Sequence, residues 1–180
     1  MIVNQTKIPG CYEINPVVFQ DERGVFVKTF HQDIYSNYKL ETHFAEEYYS
    51  FSHHGVLRGL HFQIPPKDHT KLVYCVTGEV MDVVVDLRIG SPTFGEFEIF
   101  RISANKGNML YIPSGLAHGF YVESENAILI YKVTTVYSQE HDTGIHWSSI
   151  GIPWPNKDPI ISKRDNEFLA LANFASPFQF

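Results

Sequence analysis

The chain has 180 residues, of which 44% are hydrophobic and 19% are charged, and these values predict one globular domain with its own hydrophobic core. Its net charge of −6 argues against general nucleic-acid binding, although a few cations gathered in one pocket still suit an anionic small ligand. The polar N-terminus and the absence of an apolar run of about 18 residues predict a cytoplasmic chain with no membrane partner.

The first 44 residues predict an N-terminal arm made of short extended segments. Residues 21–24, with the sequence DERG, form a strong turn between two apolar stretches at 17–19 and 25–27. A short helix is predicted within residues 31–38. The arm has little apolar surface to bury against itself, so it must pair with the main sheet or with a second copy of the chain.

Residues 45–137 predict the core of the domain, because nearly all of this region has the pattern of short strands. Glycine and asparagine turns separate eight such segments, which favours a cupin-like double-sheet jelly roll. Residues 138–180 are less regular and predict a C-terminal segment with one helix over 164–173. With no internal repeat and no linker, residues 1–180 are predicted to form a single mainly-β domain.

The two cysteines, Cys11 and Cys75, lie far apart and have no recognisable disulfide or metal-binding spacing. Thiols stay reduced in a cytoplasmic protein, so two free thiols are expected. The core of a domain of this size needs no covalent staple.

Residues 56–71, VLRGLHFQIPPKDHTK, concentrate the polar chemistry of the chain. Strict alternation would place Arg58, Leu60 and Phe62 on one face, and Leu57, Gly59, His61 and Gln63 on the other. Gly59 has no side chain and is expected to leave room for a group that is not protein. A proline-rich loop then brings Lys71 back on the next strand.

The histidines do not predict a metal site. His118 follows a Pro-x-Gly turn, but a metal-binding cupin would also offer His-x-His and a nearby glutamate, where this chain has His61, Phe62 and Gln63. Two imidazoles and an amide are a poor ligand set for a divalent metal, so acid-base chemistry is the favoured role of His61. His53 and His54 are interpreted as surface residues.

Several ordered motifs resemble the dTDP-4-dehydrorhamnose 3,5-epimerase family. They are DERG, VLRGLHFQ, KLVYCVTGEVMDVVVDLRIGSPTFG, IPSGLAHGF, YKVTTVYS, GIPWP and ISKRD, which together extend from about residue 21 to 165. The resemblance implies a cupin-like jelly roll that works as a homodimer, with the arm of one chain reaching the partner's sheet. It also implies catalysis without a metal or an organic cofactor.

The resemblance implies four catalytic residues for inversion of carbons beside a ketone. His61 would remove the proton, and Asp165 would pair with it and stabilise the imidazolium. Lys71 would stabilise the negative charge that grows on the ketone oxygen. Tyr137 would return a proton from the opposite face, although without the resemblance it would be interpreted as a packing residue at the end of a strand.

The resemblance also implies residues that bind the substrate, a dTDP-linked 4-keto-6-deoxy sugar. Arg23 and Arg58 would hold the diphosphate, and His118 would line the sugar pocket. The alternative for Arg58 is a structural ion pair with Glu46 or Glu47. The further residues that the resemblance assigns to binding are Phe26, Glu46, Tyr48, Gln63 and Asp142.

This chain departs from the family pattern around the predicted sugar and nucleotide positions. Residues 46–50 are EEYYS where Gln-Asp-Asn-His-Ser is common, Lys28 replaces a usual glutamate, and Val136 replaces the first of two tyrosines. The main hypothesis is therefore a 3,5-epimerase, and alternatives are a C3-only epimerase or one that uses CDP or GDP. A 3,4-ketoisomerase and a non-catalytic cupin that binds a sugar nucleotide also remain open.

Overall fold

The computed structural model describes residues 1–180 and is mainly β, which confirms the predicted fold class. It contains two short α-helices, α1 (Gln32–Asn37) and α2 (Lys163–Asn166), and a 3-10 turn at Leu171–Asn173. The thirteen strands are β1 (Ile2–Gln5), β2 (Tyr12–Asn15), β3 (Val18–Asp21), β4 (Gly24–Val27), β5 (Glu46–His53), β6 (Leu57–Gln63), β7 (Lys71–Thr77), β8 (Glu79–Asp86), β9 (Phe97–Ser103), β10 (Met109–Ile112), β11 (Leu116–Val122), β12 (Asn126–Val133) and β13 (Asp142–Gly144).

Two antiparallel sheets pack face to face as a jelly roll. One sheet has the strand order β1-β2-β10-β7-β12-β5, and the other has the order β13-β6-β11-β8-β9. Along β12 every second residue is buried, which is the pattern of a strand with one face on a core. Side chains from both sheets, such as Val73, Leu129, Val84 and Phe120, form the core between them.

The outer faces of both sheets are covered by the two ends of the chain. The C-terminal segment places Ile152, Trp154 and Phe178 over the five-stranded sheet. The arm places Tyr35 of α1 and Leu40 over the six-stranded sheet. Both cysteines are free, as predicted, and both are buried. No helix has the length and apolar character needed to cross a membrane.

The arm pairs partly with its own main sheet. β2 is hydrogen-bonded to β10, and β1 extends the sheet beyond β2. β3 and β4 form a hairpin around the predicted DERG turn, and this hairpin is a separate two-stranded sheet. The structure of one chain therefore leaves the hairpin without a sheet partner.

The prediction of one helix over residues 164–173 is wrong. α2 ends at Asn166, and the 3-10 turn begins only at Leu171. Between them the backbone carbonyl of Leu169 accepts a hydrogen bond from His146 instead of from the next helical turn. Contacts with the loop after β13 therefore override the local helix pattern.

β6 contains a β-bulge that corrects the predicted alternation. Its residues Gly59 and Leu60 lie opposite the single residue Gly119 of β11. The extra residue reverses the alternation, so Arg58 lines the same cavity as His61 while Leu60 packs in the outer core. The predictions that Arg58 shares a face with Leu60 and Phe62, and that Leu57 shares a face with His61, are therefore wrong.

The predicted ligand space beside Gly59 is occupied by protein backbone. A Cβ atom on Gly59 would lie 2.6 Å from the Cα of Gly119, and Gly59 has a φ of +136°. Glycine is thus required by the close approach of two strands and by its backbone conformation, and not by a ligand.

Candidate active site

A cavity of about 380 Å³ opens between the two sheets and is lined by residues of both. Strands β5, β7 and β12 contribute from the six-stranded sheet, and β6, β11 and β13 contribute from the other. Nine of the predicted site residues line it: Glu46, Tyr48, Arg58, His61, Gln63, Lys71, His118, Tyr137 and Asp142.

His61 and Asp165 form a hydrogen-bonded pair at this cavity. The distance between His61 Nε2 and Asp165 Oδ1 is 2.8 Å, and Asp165 Oδ2 accepts a hydrogen bond from the Gly59 N–H at 3.1 Å. Ser162 caps α2 by accepting from the Asp165 N–H, which holds this carboxylate in place. Burial acts to raise the pKa of Asp165, but the hydrogen bonds and charge of His61 outweigh it, and the pKa is lowered.

Lys71 is buried at the start of β7. Its Nζ donates to the carbonyl of His61 at 3.1 Å, which places the ammonium beside β6. Burial lowers the pKa of Lys71 to about 8, and the carboxylates of Asp142 and Asp82 oppose this shift. A cation with few protein partners is thus held in a water-poor part of the cavity.

His118 is also paired with a carboxylate, and this pair is more deeply buried. Its Nε2 lies 2.9 and 3.0 Å from the two oxygens of Asp82. His118 lies directly opposite His61 in the register of β11 with β6. Two adjacent strands therefore present two imidazoles, each oriented by its own carboxylate.

Arg58 makes no ion pair with Glu46 or Glu47. Its Nε donates to Ser52 Oγ at 2.9 Å, and Nη2 donates to the backbone carbonyl of Phe51 at 3.3 Å. Glu47 instead forms its ion pair with Lys132. The structural alternative for Arg58 is therefore wrong, and its charge is left for a ligand in the cavity.

Four tyrosines line the cavity: Tyr48 and Tyr49 on β5, Tyr131 on β12, and Tyr137 beyond the end of β12. Tyr48 stacks on Tyr131 with ring centroids 4.8 Å apart, and the buried Tyr131 Oη lies 3.2 Å from Ser50 Oγ. Burial raises the pKa of Tyr131, so its phenol stays protonated. Tyr137 is 57% exposed at the mouth, and its N–H donates to Glu46 at 2.7 Å.

Gln63 is buried and its amide is already bonded within the protein. Its Oε1 accepts from the Ser138 N–H at 2.7 Å, and its Nε2 donates to the Lys67 carbonyl at 2.6 Å. These bonds tie the loop after β6 to the segment after β12. This arrangement is typical of a residue that holds the cavity wall rather than a ligand.

Asp142 lies on β13 opposite Gln63, at the edge of the cavity. Its Oδ2 accepts a hydrogen bond from Arg164 Nη2 at 2.6 Å. Arg164 directly precedes Asp165 in α2, so one short helix contacts the cavity wall at two points.

Arg23 and Phe26 are not brought to this cavity within the chain. Both line a separate hollow on the β3–β4 hairpin, where Arg23 pairs with Asp21 at 2.6 Å. Phe26 is 62% exposed and contacts Phe19 across the hairpin. Their predicted binding role therefore requires a cavity other than that of their own chain.

Seven of the sixteen residues that line the cavity were not predicted from the sequence, and Tyr131 and His69 are two of them. Tyr131 follows the regular inward alternation of β12, so its pattern is that of a core residue. His69 lies in the loop that was interpreted only as a connection, and burial lowers its pKa to about 3. No three His, Cys, Asp or Glu side chains come together in an arrangement that could hold a metal ion.

Comparisons with known proteins point to one family. A family model described as dTDP-4-dehydrorhamnose 3,5-epimerase matches residues 5–173. The dTDP-4-dehydrorhamnose 3,5-epimerase of Shigella flexneri is 44% identical over 168 residues, which are 92% of this chain and 93% of the relative.

Solved structures give the same result. The epimerase RmlC from Legionella pneumophila, in complex with dTDP-4-keto-L-rhamnose, has a TM-score of 0.94 at 34% identity and covers 99% of this chain and 98% of its own. ChmJ is a 3'-monoepimerase from Streptomyces bikiniensis. A double mutant of it with one histidine and one tyrosine replaced, in complex with dTDP, has a TM-score of 0.89 at 31% identity over 94% of this chain and 87% of its own.

Proposed function

The chain belongs to the dTDP-4-dehydrorhamnose 3,5-epimerase family, and we propose that it inverts C3 and C5 of a dTDP-linked 4-keto-6-deoxyhexose in dTDP-rhamnose biosynthesis. The observation that carries the proposal is the His61–Asp165 pair, which lies at a cavity that is also lined by the buried Lys71 ammonium and by four tyrosines. The Legionella relative has a dTDP-4-keto sugar bound, which supports a sugar nucleotide as the substrate class.

His61 is proposed to remove the proton. Asp165 accepts a hydrogen bond from Nε2, and this fixes the tautomer in which Nδ1 carries a free lone pair. Protonation at Nδ1 creates an imidazolium, which the adjacent carboxylate stabilises. Both C3 and C5 flank the C4 ketone, so one base can act on each in turn because each proton removal gives an enolate of the same carbonyl.

Lys71 is proposed to stabilise that enolate. A fixed ammonium in a water-poor cavity lowers the energy of a negative charge that develops on the ketone oxygen, and one such donor contributes on the order of 3 kcal/mol. Its pKa of about 8 keeps most of the group protonated at neutral pH.

Two phenols are candidates for the proton return. Tyr137 stays a prediction, and Tyr131 is a second candidate with three supporting observations. It is buried, it lies on the sheet opposite that of His61, and the histidine and tyrosine replaced in ChmJ have the same sequence separation as His61 and Tyr131. We propose Tyr131 as the donor, since a proton from that sheet reaches the sugar face turned away from His61.

Arg58 is proposed to bind the diphosphate and His118 to bind the sugar. Arg58 is without a carboxylate partner and lines the cavity, so it suits an anionic group. The binding roles of Glu46, Tyr48 and Asp142 stay predictions that their place at the cavity supports. Gln63 is less suited to binding, because its amide is already bonded.

We also propose that the chain works as a homodimer in which the hairpin β3–β4 completes the cavity of the partner. A two-stranded hairpin is marginally stable alone, and this one exposes Phe19, Val25 and Phe26. β5 is an edge strand beside the cavity and offers an unpaired edge. Docking of the hairpin at this edge would bring Arg23 to the cavity as a second guanidinium beside Arg58. The cytoplasmic location stays a prediction.

The experiment is an incubation with dTDP-4-keto-6-deoxyglucose in deuterated buffer, followed by proton NMR. A 3,5-epimerase incorporates deuterium at both C3 and C5, and exchange at neither carbon would reject the proposal. Label at C3 alone would indicate a C3-only epimerase, as in ChmJ, and movement of the carbonyl would indicate a ketoisomerase.

Two further measurements test the remaining alternatives. A panel of CDP-linked and GDP-linked analogues of the substrate tests which nucleotide the protein uses. Binding of a sugar nucleotide without any proton exchange would indicate a non-catalytic cupin.

A further inference from the structure

Arg164 contacts two groups beside the candidate active site, Asp142 and Phe168. Its Nη2 donates to Asp142 Oδ2 at 2.6 Å, and its guanidinium carbon lies 5.3 Å from the ring centroid of Phe168. The side chain of Arg164 is 49% exposed, so it is held by these two contacts and not by burial.

Phe168 in turn limits the position of the His61 ring. The two rings stand edge to face, with centroids 5.8 Å apart and an angle of 80°. On another side Phe168 packs on the backbone of β13, since a Cβ atom on Gly144 would lie 2.5 Å from the Phe168 ring. Gly144 lies directly opposite His61 in the strand register. Phe168 is thus confined between the β13 backbone, the guanidinium and the imidazole.

The four-residue helix α2 and Phe168, which follows it, therefore supply two separate restraints on His61. Asp165 holds Nε2 by a hydrogen bond, which fixes the position of one ring atom. A single hydrogen bond does not prevent the ring from tilting about it. The contact with Phe168 opposes that tilt, and Phe168 depends on Arg164 for one of its supports.

A half-exposed ion pair contributes little to stability, because water and salt screen it. The contacts of Arg164 are therefore better explained by a role in positioning a neighbouring side chain than by a contribution to the stability of the fold. A small displacement of a catalytic group costs a large factor in rate even when the fold is unchanged.

We propose that Arg164 is a positioning residue for His61: it supports Phe168 against the imidazole and anchors α2 to β13 through Asp142, so that the free Nδ1 points into the cavity. The kinetic part of this inference rests on the proposed role of His61 as the base. The structural part, the fixed orientation of the ring, does not.

Three variants separate the two contacts. Arg164→Gln removes both the charge and most of the stacking. Arg164→Lys keeps an ion pair with Asp142 but loses the planar group over Phe168, and Phe168→Leu keeps apolar bulk but removes the ring that contacts His61. Lys163→Gln is the matched control, because Lys163 lies on the same helix, is 89% exposed and pairs only with Glu167.

The kinetic expectation is a fall of about 10-fold in the rate of solvent exchange at C3 for Arg164→Gln. Phe168→Leu should show a similar fall, Arg164→Lys a partial rescue and Lys163→Gln no change. The effect should be on kcat more than on KM. Equal exchange rates in Arg164→Gln and the wild type would overturn the proposal.

A second readout does not require activity. With 15N-labelled histidine, the Nε2–H signal of His61, assigned by its loss in His61→Gln, should exchange slowly with water in the wild type and in Lys163→Gln. It should exchange several-fold faster in Arg164→Gln and Phe168→Leu. An unchanged signal in both variants would overturn the proposal even if their stability fell. If the wild type had no epimerase activity but the signal exchanged faster in the two variants, the positioning role would be supported. Only the proposed function would then be rejected.

Discussion

His61 and Asp165 are separated by 104 positions in the sequence, yet the imidazole Nε2 lies 2.8 Å from the carboxylate. β6 supplies the imidazole, and α2, in the C-terminal segment, supplies the carboxylate. The Gly59 N–H and the Ser162 cap hold Asp165 from two further directions. The proposed base is thus assembled by the packing of the C-terminal segment on the five-stranded sheet.

Asp165→Asn should lower the rate of C3 proton exchange by at least about 100-fold. The amide still accepts a hydrogen bond from Nε2, but it does not stabilise an imidazolium. The measurement is the initial rate of deuterium incorporation at pH 7, with circular dichroism as the control for folding. His61→Ala should abolish exchange at every carbon. A folded Asp165→Asn variant with wild-type exchange would contradict the paired role.

Activity should decline as the pH rises through about 8, because Lys71 loses its proton there. Stability should change in the opposite direction. In the folded chain, burial lowers the pKa of Lys71 from its ordinary value of 10.5 to about 8. Between about pH 8 and pH 10.5, therefore, Lys71 binds this proton mainly in the unfolded chain. The free energy of unfolding therefore rises with pH across that window.

The Lys71→Met variant tests both statements. It should have almost no activity, a higher free energy of unfolding at pH 7 than the wild type, and a smaller increase in stability between pH 8 and 10. Urea denaturation at several pH values gives the stabilities. A variant with a lower free energy of unfolding than the wild type at pH 7 would show that burial of the charged ammonium does not destabilise the fold.

Tyr131→Phe and Tyr137→Phe should have different effects. Removal of the phenol that returns the proton leaves proton abstraction intact, so deuterium enters C3 while inverted product forms at least about 100-fold more slowly. We expect this result for Tyr131→Phe and a smaller effect for the exposed Tyr137. Comparison of label at C3 with the yield of epimerised sugar distinguishes the two, and the reverse order would restore Tyr137 as the donor.

Mixing Arg23→Ala with His61→Ala should restore activity if the hairpin acts on the partner. Each variant alone lacks one residue at both cavities, whereas a mixed dimer has one intact cavity. After exchange of subunits, an equimolar mixture should regain about a quarter of wild-type activity. No recovery, in a mixture that light scattering shows to be dimeric, would place Arg23 outside the partner's cavity.

Gly119→Ala should destabilise the fold by about 1–3 kcal/mol. The added Cβ would lie 2.7 Å from the carbonyl oxygen of Arg58, in backbone that cannot move without disturbing the bulge. KM should rise as well, because the bulge is what directs Arg58 into the cavity. Urea denaturation followed by tryptophan fluorescence gives the stability. An unchanged free energy of unfolding would mean that β6 and β11 are less tightly packed at Gly119 than the distance of 2.7 Å indicates.

Much of the fold follows from patterns that are local in sequence. The eight core strands are visible from alternation and from glycine or asparagine turns, because each strand buries one face. The bulge in β6 was not predictable, since it depends on Gly119 from a strand about sixty positions later. The end of α2 at Asn166 likewise depends on a contact between Leu169 and His146.

The site was predicted unevenly for the same reason. Nine of the residues expected from the motif resemblance line one cavity. The resemblance did not indicate that the amide of Gln63 forms its hydrogen bonds within the protein. Tyr131 was not predicted because residues that line a cavity and residues that fill a core both face inward at every second position of a strand. Arg23 and Phe26 lie on a hairpin whose partner is not part of one chain, so their place depends on assembly.

The seating of α2 on β6 has a consequence for how the protein can be inactivated. Residues 145–162, which join β13 to α2, contain no strand of either sheet. A single protease cut within them would leave both sheets covalently intact, yet it would remove the covalent link between the strand that carries His61 and the helix that carries Asp165. In the nicked protein the hydrogen bond between the proposed base and its carboxylate would depend only on the noncovalent packing of the C-terminal fragment.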